Sequence, residues 1–197
     1  MLSNLTRRTF LATFSSLAIA GPALALSEEG ARGLVDKLVA EINRVIASGK
    51  SEAGMIRDFE RIFGRYADVK IMAQYALGVD GRRASPAQKR RFETAFSGYI
   101  ARKYGKRFRE FIGGKIEVKS ARAIRAGYEI KTTAFLRGEA PFEVTFLVSG
   151  KSGKDLFFNM FIEGVNLLLT ERTEIGALLD RNRGDIDAMT KDLSRLG

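Results

Sequence analysis

Chemistry in this chain has to come from carboxylates, Lys, Arg, Tyr and hydroxyl groups, because its 197 residues include no His, Cys or Trp. Zinc, copper, haem and iron–sulfur centres of the usual ligation lack their ligands here. Ser-His-Asp and Cys-His catalysis are excluded for the same reason. Asp180, Asp185 and Asp187 lack the Gly and Glu spacing of a calcium loop, so we expect helix caps. The sequence predicts no catalytic residue, no metal site and no cofactor.

Glu163 and Asn159 are the polar groups that the sequence places among apolar neighbours. A buried Glu with a raised pKa can act as a general base. An isomerase or hydratase built on Glu163 would also need a partner group, which the sequence does not identify. The alternative is structural: Glu163 caps a corner of the chain or pairs with an arginine such as Arg172.

The most apolar stretch is Leu156–Ile162, in which Asn159 is the one polar residue. It is short and rich in Phe, which favours a strand that is buried on both faces. Gly164 then allows an abrupt change of direction, and apolar residues at helical spacing follow. An antiparallel strand needs only one apolar face, so the second face must meet helices, another sheet or an apolar ligand.

Residues 26–155, which precede this stretch, divide into helices followed by strands. Apolar residues at steps of three and four predict helices over Ser27–Ser48, Ser51–Phe63, Asp68–Leu77 and Ser85–Ile112. The last of these begins with a capping box of Ser85 and Gln88 and has a possible kink at Gly105. Period-two patterns predict strands over Lys115–Lys119, Tyr128–Thr133 and Phe142–Val148.

Further helices are expected after the strands, from Val165 to about Arg172, over Glu174–Leu179 and over Asp185–Leu196. This order predicts one α+β domain with a curved four-stranded antiparallel sheet packed against helices. The N-terminal helices precede the sheet and short helices follow it, in a cone-shaped, NTF2-like arrangement. Strict alternation places one set of apolar residues on a single sheet face: Phe142, Val144, Phe146, Val148, Leu156, Phe158, Met160 and Ile162. The mouth of such a cone is a natural ligand pocket.

Residues 1–25 have the pattern of an export signal. Arg7-Arg8 precede the apolar segment Phe10–Ala20, which is too short to span a bilayer, and Ala23–Ala25 form an A-x-A cleavage site. Thr6–Leu11 resembles a twin-arginine signal. We therefore expect cleavage after about Ala25 and a soluble periplasmic domain over residues 26–197.

The mature chain is strongly basic. Removing Arg7 and Arg8 lowers the formal charge from +10 to +8. Arginines and lysines also flank the aromatic residues of the Ser85–Ile112 segment, but those aromatics keep the phase of a buried helix face and cannot stack on bases. We expect no nucleic acid as a partner. A solvated basic face, or a docking surface for an anionic membrane or an acidic protein, remains open.

Four segments together resemble the MlaC family, also called the toluene-tolerance family, of periplasmic phospholipid shuttles. They are MAQYALG, RRASPAQKRRFETAFSGYIARKYGKRF, FIEGVNLLLTERTEI and GDIDAMTKDL, in family order and over nearly the whole mature chain. IEGVNLL with Arg172 is the most specific piece. One departure precedes it: where family members usually carry Trp-Lys-hydrophobic-Tyr-Asp, this chain has Asp155, Leu156, Phe157, Phe158 and Asn159.

The resemblance implies a carrier, not an enzyme. Phospholipid acyl chains would lie between sheet and helices, with the head group near the mouth. The lipid-binding residues expected on this basis are Phe96, Tyr99, Val144, Phe146, Val148, Phe158, Met160, Ile162 and Leu168. Basic residues near Arg82, Arg83, Arg102 and Lys106 are expected to meet head groups or partner proteins.

The resemblance also implies partners, and it leaves rival functions open. The partners would be an inner-membrane ABC transporter with an MlaD-like subunit, an outer-membrane MlaA-like lipoprotein and, transiently, the membrane surface. Another apolar cargo such as a hopanoid is the first alternative. The others are an isomerase-like enzyme with Glu163 as base and an adaptor that binds only protein.

Overall fold

A computed structural model describes residues 26–106 and 110–197. The predicted export signal lies outside the described residues. Four helices come first, at Glu28–Ile46 (α1), Glu52–Tyr66 (α2), Val69–Leu77 (α3) and Pro86–Gly105 (α4). The strands are Lys115–Ile124 (β1), Gly127–Phe135 (β2), Phe142–Ser149 (β3), Leu156–Ile162 (β4) and Val165–Asn166 (β5), and the last helices are Leu167–Arg181 (α5) and Ile186–Leu193 (α6). The predicted α+β class is confirmed, with helices before and after an antiparallel sheet.

Helix α4 begins where the sequence predicted it. Ser85 Oγ accepts a hydrogen bond from the Gln88 backbone N–H at 3.2 Å, and the Ser85 N–H donates to Gln88 Oε1 at 2.9 Å. These two bonds satisfy otherwise unpaired donors at the helix start, so the capping box is confirmed. Ser27 and Ser51 cap α1 and α2 in the same way, through single bonds from Gly30 and Gly54.

Helix α4 ends earlier than predicted. The expected helix to Ile112 is wrong, because α4 ends at Gly105, and Phe111 and Ile112 lie in a turn before β1. A Cβ at Gly105 would lie 3.1 Å from Cγ1 and 3.3 Å from the backbone Cα of Ile56 in α2. Gly105 is therefore needed for the close approach of the two helices.

The sheet is a meander in which each strand pairs antiparallel with the next, in the order β1-β2-β3-β4-β5. The short fifth strand was not predicted: Val165 and Asn166 pair back onto Ile162 and Phe161 instead of starting the helix. The register shifts in β1 between Val118 and Ser120 and again where β3 pairs with β4. Such bulges bend strands and increase their twist, which agrees with an open, curved sheet.

One continuous helix, α5, replaces the two short helices that were predicted after the corner. The segment contains no Pro, and Thr173 Oγ1 donates to the Leu169 carbonyl one turn earlier at 3.1 Å. The predicted break before Glu174 therefore has no structural cause. In the described part of the chain, no helix is both long and apolar enough to cross a bilayer.

Helix α1 covers the start of the sheet. Asn43 on α1 donates from Nδ2 to the Ile116 carbonyl and accepts from the Ile116 N–H, both at 3.0 Å. These two hydrogen bonds occupy the backbone N–H and carbonyl of Ile116 on the outer edge of β1. On an exposed edge strand, such groups would be free to pair with other chains. Below it, Ile130 and Ala134 of β2 are fully buried. The core thus lies between one face of the sheet and the helices.

Candidate functional site

One face of the sheet carries five of the residues predicted to bind lipid: Val144, Phe146, Val148, Met160 and Ile162. Val144 pairs with Ile162, and Phe146 pairs with Met160. Side chains of directly paired residues lie on the same face of a sheet. Val144 and Phe146 are buried, whereas Met160 and Ile162 are half-buried. Phe146 also pairs with Ile130 of β2, so this apolar surface extends to the middle of the sheet.

A bulge in β4 changes which phenylalanine joins this surface. Leu147 pairs with Asn159 but the next residue, Val148, pairs with Phe157, so Phe158 is the extra residue of the bulge. The strict alternation that placed Phe158 with Met160 and Ile162 is therefore wrong at this point. Phe158 is half-buried, and its role as a lipid contact stays a prediction.

Phe157 is the residue that sequence reasoning missed. Its ring centroid lies 5.5 Å from that of Phe146, and 6.0 Å from that of Phe63 on α2. Both contacts are edge-to-face, a preferred geometry for aromatic pairs. With 3% of its surface exposed, Phe157 joins the sheet to the helices. The run of three aromatic or apolar residues before Asn159 gave no signal for the bulge.

The helices supply the other predicted residues. Phe96 and Tyr99 on α4 and Leu168 on α5 are all buried. These three belong, with Val144, Phe146 and Val148, to one buried apolar cluster, against which Met160 packs. Helix α4 packs mainly against α2, α3 and α6, while α1, α3 and α5 contact the strands. Seven of the nine predicted residues thus lie in or against the same core.

Six of these nine residues are buried in the described structure, and Phe158, Met160 and Ile162 are half-buried. Two cavities, of about 700 and 130 Å³, are open grooves on the surface. The larger one lies between the start of α1 and the end of α2, beside Ser27, Leu34, Lys37, Arg65, Tyr66 and Asp155. None of the nine predicted residues lines either groove in the described chain. Acyl chains would therefore need the sheet and helices to separate.

A polar group of five residues, the α4–α5 polar cluster, lies beside this core: Tyr99, Lys103, Tyr104, Glu171 and Glu174. Glu171 Oε1 accepts from Lys103 Nζ at 2.9 Å and from the Tyr104 hydroxyl at 2.6 Å. Lys103 Nζ also donates to Glu174 Oε2 at 2.7 Å and to the Tyr99 hydroxyl at 3.0 Å. The Tyr99 hydroxyl donates to Glu174 Oε2 at 2.7 Å. Long side chains therefore bridge α4 and α5.

Glu171 is fully buried, and its second oxygen, Oε2, has no hydrogen-bond donor among the described residues. It occupies a position in the buried stripe of α5, whose other members are Leu167, Leu168, Ile175, Leu178 and Leu179. Sequence reasoning missed Glu171, although its place three residues after Leu168 in this helical stripe was a readable signal.

The cluster shifts the pKa values of three of its groups. Burial, hydrogen bonding to Glu174 and the charge of Glu171 together raise the pKa of the Tyr99 hydroxyl. Burial alone would lower the pKa of Lys103, but hydrogen bonds to Glu174 and Glu171 outweigh it and raise that pKa. For Glu174, burial alone would raise the pKa, but hydrogen bonds from Lys103 and Tyr99 outweigh it and lower that pKa. All three shifts keep Lys103 and Glu174 charged and Tyr99 neutral near pH 7.

The corner after β4 has a structural role. Asn159 is buried as expected, whereas Glu163 is exposed. Glu163 has a φ of +50° and donates its backbone N–H to the Glu143 carbonyl at 3.0 Å. Arg172, its expected partner, instead lies with its guanidinium carbon 5.3 Å from the ring centroid of Tyr75. Glu163 is exposed, so the expectation that apolar neighbours enclose this carboxylate is wrong, and its expected pairing with Arg172 is not found among the described residues.

Two of the basic residues expected to meet head groups are used within the fold. Arg102 donates to the carbonyls of Leu196 at 2.7 Å and Leu193 at 3.1 Å, and Lys106 donates to the Gly197 carbonyl at 2.6 Å. Cations satisfy the free carbonyls and the negative dipole end of a helix C-terminus. Arg102 and Lys106 therefore attach the end of α6 to α4.

Known proteins share this fold and sequence pattern. The toluene tolerance protein ttg2D of Pseudomonas putida is 23% identical over 189 residues, which cover 93% of this chain and 87% of that protein. A solved structure, described as the phospholipid-binding protein from Ralstonia solanacearum in complex with a phospholipid, matches with a TM-score of 0.70 at 19% identity. It covers 84% of this chain and 95% of the solved chain, and at this identity it shows the fold.

The family assignment rests on a match to the sequence pattern of the whole family. The model of the MlaC protein family matches residues 33–195, from the first turns of α1 to beyond the end of α6. It therefore includes the sheet face, the α4–α5 polar cluster and the corner after β4. The chain belongs to the MlaC family.

Proposed function

We propose that the mature chain is a soluble periplasmic lipid carrier. It holds phospholipid acyl chains between its sheet and helices and shuttles lipid between the outer membrane and an inner-membrane ABC transporter. Membership of the MlaC family is the observation that carries this proposal. The likeness in fold to a protein solved in complex with a phospholipid supports it.

Burial of acyl chains in the apolar core would offset the free-energy cost of removing them from the bilayer. Each methylene group that leaves a bilayer for water costs about 0.8 kcal/mol. A carrier must bury most of these groups to approach parity with the membrane, and near parity lets the cargo pass in either direction. Phe146, Phe157 and Phe96 are apolar and buried, and they would contact acyl chains once the core opens. Transfer of this kind needs no nucleotide or metal in the carrier itself.

Loading requires the closed core to open. The sheet face contacts the helices through side chains such as Phe157 against Phe63, without covalent links, since the chain has no Cys. Acyl chains that enter would replace protein–protein apolar contacts with protein–lipid contacts of similar free energy. The nine predicted residues are our proposed lining of the opened cavity.

We further propose that residues 1–25 direct export and are removed, which leaves residues 26–197 as a single lipid-binding domain. The partners would be phospholipid, an MlaD-like subunit of the transporter and an MlaA-like lipoprotein. Exchange with these membrane-borne partners implies transient contact with the membrane surface. The formal charge of +8 on the mature chain would favour the anionic head groups there.

Native mass spectrometry of the full-length chain, expressed with its export signal and purified from the periplasm without detergent, tests the proposal. We expect mass additions that match phospholipids, which organic solvent releases for identification. Delipidated protein mixed with dioleoyl phospholipid vesicles should regain them. Mass additions that match a polycyclic lipid would instead identify that lipid as the cargo. Protein that purifies empty and stays empty with vesicles would contradict the carrier function.

A further inference from the structure

The α4–α5 polar cluster runs from the interior of the protein to its surface. The exposed fraction of the side chain is 0% for Glu171, 27% for Lys103 and 48% for Glu174. Glu171 lies three residues after Leu168, and Tyr99 belongs to the cluster itself, so two proposed cavity-lining residues adjoin it. A lipid with its chains in the core and its head near the surface would pass this cluster.

The cluster has more acceptor capacity than donors. Glu171 and Glu174 carry two negative charges against the single positive charge of Lys103. Lys103 and Tyr104 both donate to Glu171 Oε1, while Lys103 and Tyr99 donate to Glu174 Oε2. Glu171 Oε2 is buried and receives no donor among the described residues. Leaving such an oxygen unpaired is unfavourable, because the carboxylate has lost its hydrogen bonds to water.

We propose that Glu171 Oε2 accepts a hydrogen bond from the polar end of the cargo, and that the carrier thereby selects lipids whose head bears a hydroxyl or ammonium donor. This inference rests on the proposed carrier function and assigns the recognition step within it. The position of Glu171 argues for recognition, since an apolar residue would complete the buried stripe of α5 without the cost of burying a carboxylate.

The charge of the cluster decides which part of a head group binds. A phosphate would meet two carboxylates and one ammonium, and the repulsion would favour its placement elsewhere. A hydroxyl or an N–H group instead completes the hydrogen bonding of Oε2. Hydrogen bonds to charged acceptors are stronger than neutral ones, which predicts about a tenfold preference for a donor-bearing head over a matched head without one.

Competition between lipids with identical dioleoyl chains tests this inference by native mass spectrometry on the delipidated mature chain. The first pair is phosphatidylethanolamine, whose ammonium has N–H donors, against phosphatidylcholine, whose trimethylammonium has none. The second pair is phosphatidylglycerol, which has hydroxyl donors, against phosphatidylethanol, which has the same charge and none. The two pairs separate an ammonium donor from a hydroxyl donor. We expect about a tenfold preference for the donor-bearing lipid in at least one pair.

Glu171→Gln is the informative variant, because it keeps the size of the side chain but loses the anionic acceptor. The preference should fall to near one while the total lipid bound is retained. Glu163→Gln is the control: Glu163 is exposed at the corner after β4 and lies outside the cluster, so this variant should leave the preference intact. If Glu171→Gln does not fold, Glu171→Asp takes its place: it keeps the charge but withdraws the acceptor by one methylene group, so the preference should fall there too.

Three outcomes would overturn the inference, and they differ from failure of the carrier function. Equal binding of both lipids in both pairs would leave Glu171 Oε2 as the site of a buried water only. A preference that survives in Glu171→Gln, or disappears equally in Glu163→Gln, would assign selection to other residues. Absence of any bound lipid, by contrast, would contradict the proposed function itself.

Discussion

Asn159 on β4 accepts a hydrogen bond through Oδ1 from the backbone N–H of Leu168, in the first turn of α5, at 3.2 Å. The same side chain donates from Nδ2 to Asn166 Oδ1 at 3.0 Å, and Asn166 in turn caps the helix by accepting from the Leu169 N–H at 3.1 Å. The one polar residue in an apolar strand therefore ties that strand to the helix that follows the corner.

Replacing Asn159 tests this tie. Asn159→Leu should lower the free energy of unfolding by about 1–3 kcal/mol, because buried groups of Leu168 and Asn166 lose their partner. Urea denaturation followed by circular dichroism measures the loss. Asn159→Asp keeps the acceptor for the Leu168 N–H, but it loses the donor to Asn166 and buries a charge, so it should also lower the free energy of unfolding. Equal stability of Asn159→Leu and the wild type would contradict this role.

Two glycines should respond to alanine with opposite signs. At Gly105 the new Cβ would press on the Ile56 side chain and backbone of α2, which we expect to lower the free energy of unfolding by about 1–3 kcal/mol. At Gly176, inside α5, a new Cβ meets nothing within 4 Å. Alanine there should stabilise the protein by about 0.5–1 kcal/mol through helix propensity. Denaturant titration of both variants measures these changes. If alanine at Gly105 stabilised the protein, the α2–α4 contact would have space for an extra methyl group, which would contradict this account.

Stability should depend on pH through Glu174. Hydrogen bonds from Lys103 and Tyr99 outweigh the effect of burial and lower its folded pKa below the ordinary value of 4.5. Its contribution is therefore complete above about pH 4.5 and is lost as the pH falls through the lower folded pKa. Lys103 stays protonated throughout this range, since its pKa is raised.

Unfolding midpoints of the wild type and Glu174→Gln, measured across the acid range, check this expectation. The wild type should be the more stable protein at pH 7, and the difference should close in acid. Glu163→Gln serves as the control, because Glu163 is exposed and has no ion pair among the described residues. A difference between wild type and Glu174→Gln that grows on acidification would contradict the assignment.

A matched pair of valines tests where cargo binds. Val148 is fully buried on the sheet face, whereas Val165 at the corner is 61% exposed. Val148→Phe should reduce the fraction of protein that carries lipid several-fold, because the larger side chain occupies space that acyl chains need. It should also cost about 1–3 kcal/mol in stability through overpacking. Val165→Phe should change neither quantity. Native mass spectrometry gives the lipid-bound fraction, and equal loading of the two variants would contradict the proposed cavity.

The sequence predicted the fold well where local signals and the global structure agree. The Ser85–Gln88 capping box and the period-two strands led to the correct elements, since caps and alternation act within a few residues. It failed where long-range contacts decide. Gly105, at the end of α4, leaves room for Ile56, which is about fifty residues away in the chain.

The candidate site shows the same division. Alternation correctly placed Val144, Phe146, Met160 and Ile162 on one face, because that rule is geometric. The bulge that exchanges Phe158 for Phe157 depends on pairing with β3, which the residues of β4 alone do not reveal. Glu171 has the helical phase of the buried leucines of α5, but a charged side chain at such a position does not by itself indicate burial.

The central claim is that acyl chains enter the layer between sheet and helices. Methyl NMR with a phospholipid that carries a nitroxide near the end of one acyl chain tests it most directly. The account predicts strong paramagnetic broadening of the methyl signals of Val144, Val148 and Leu168, which are buried in the described structure. The exposed Val165 and Leu169 methyls should keep their intensity. Broadening confined to these exposed methyls, with the buried ones unchanged at saturating lipid, would contradict the account.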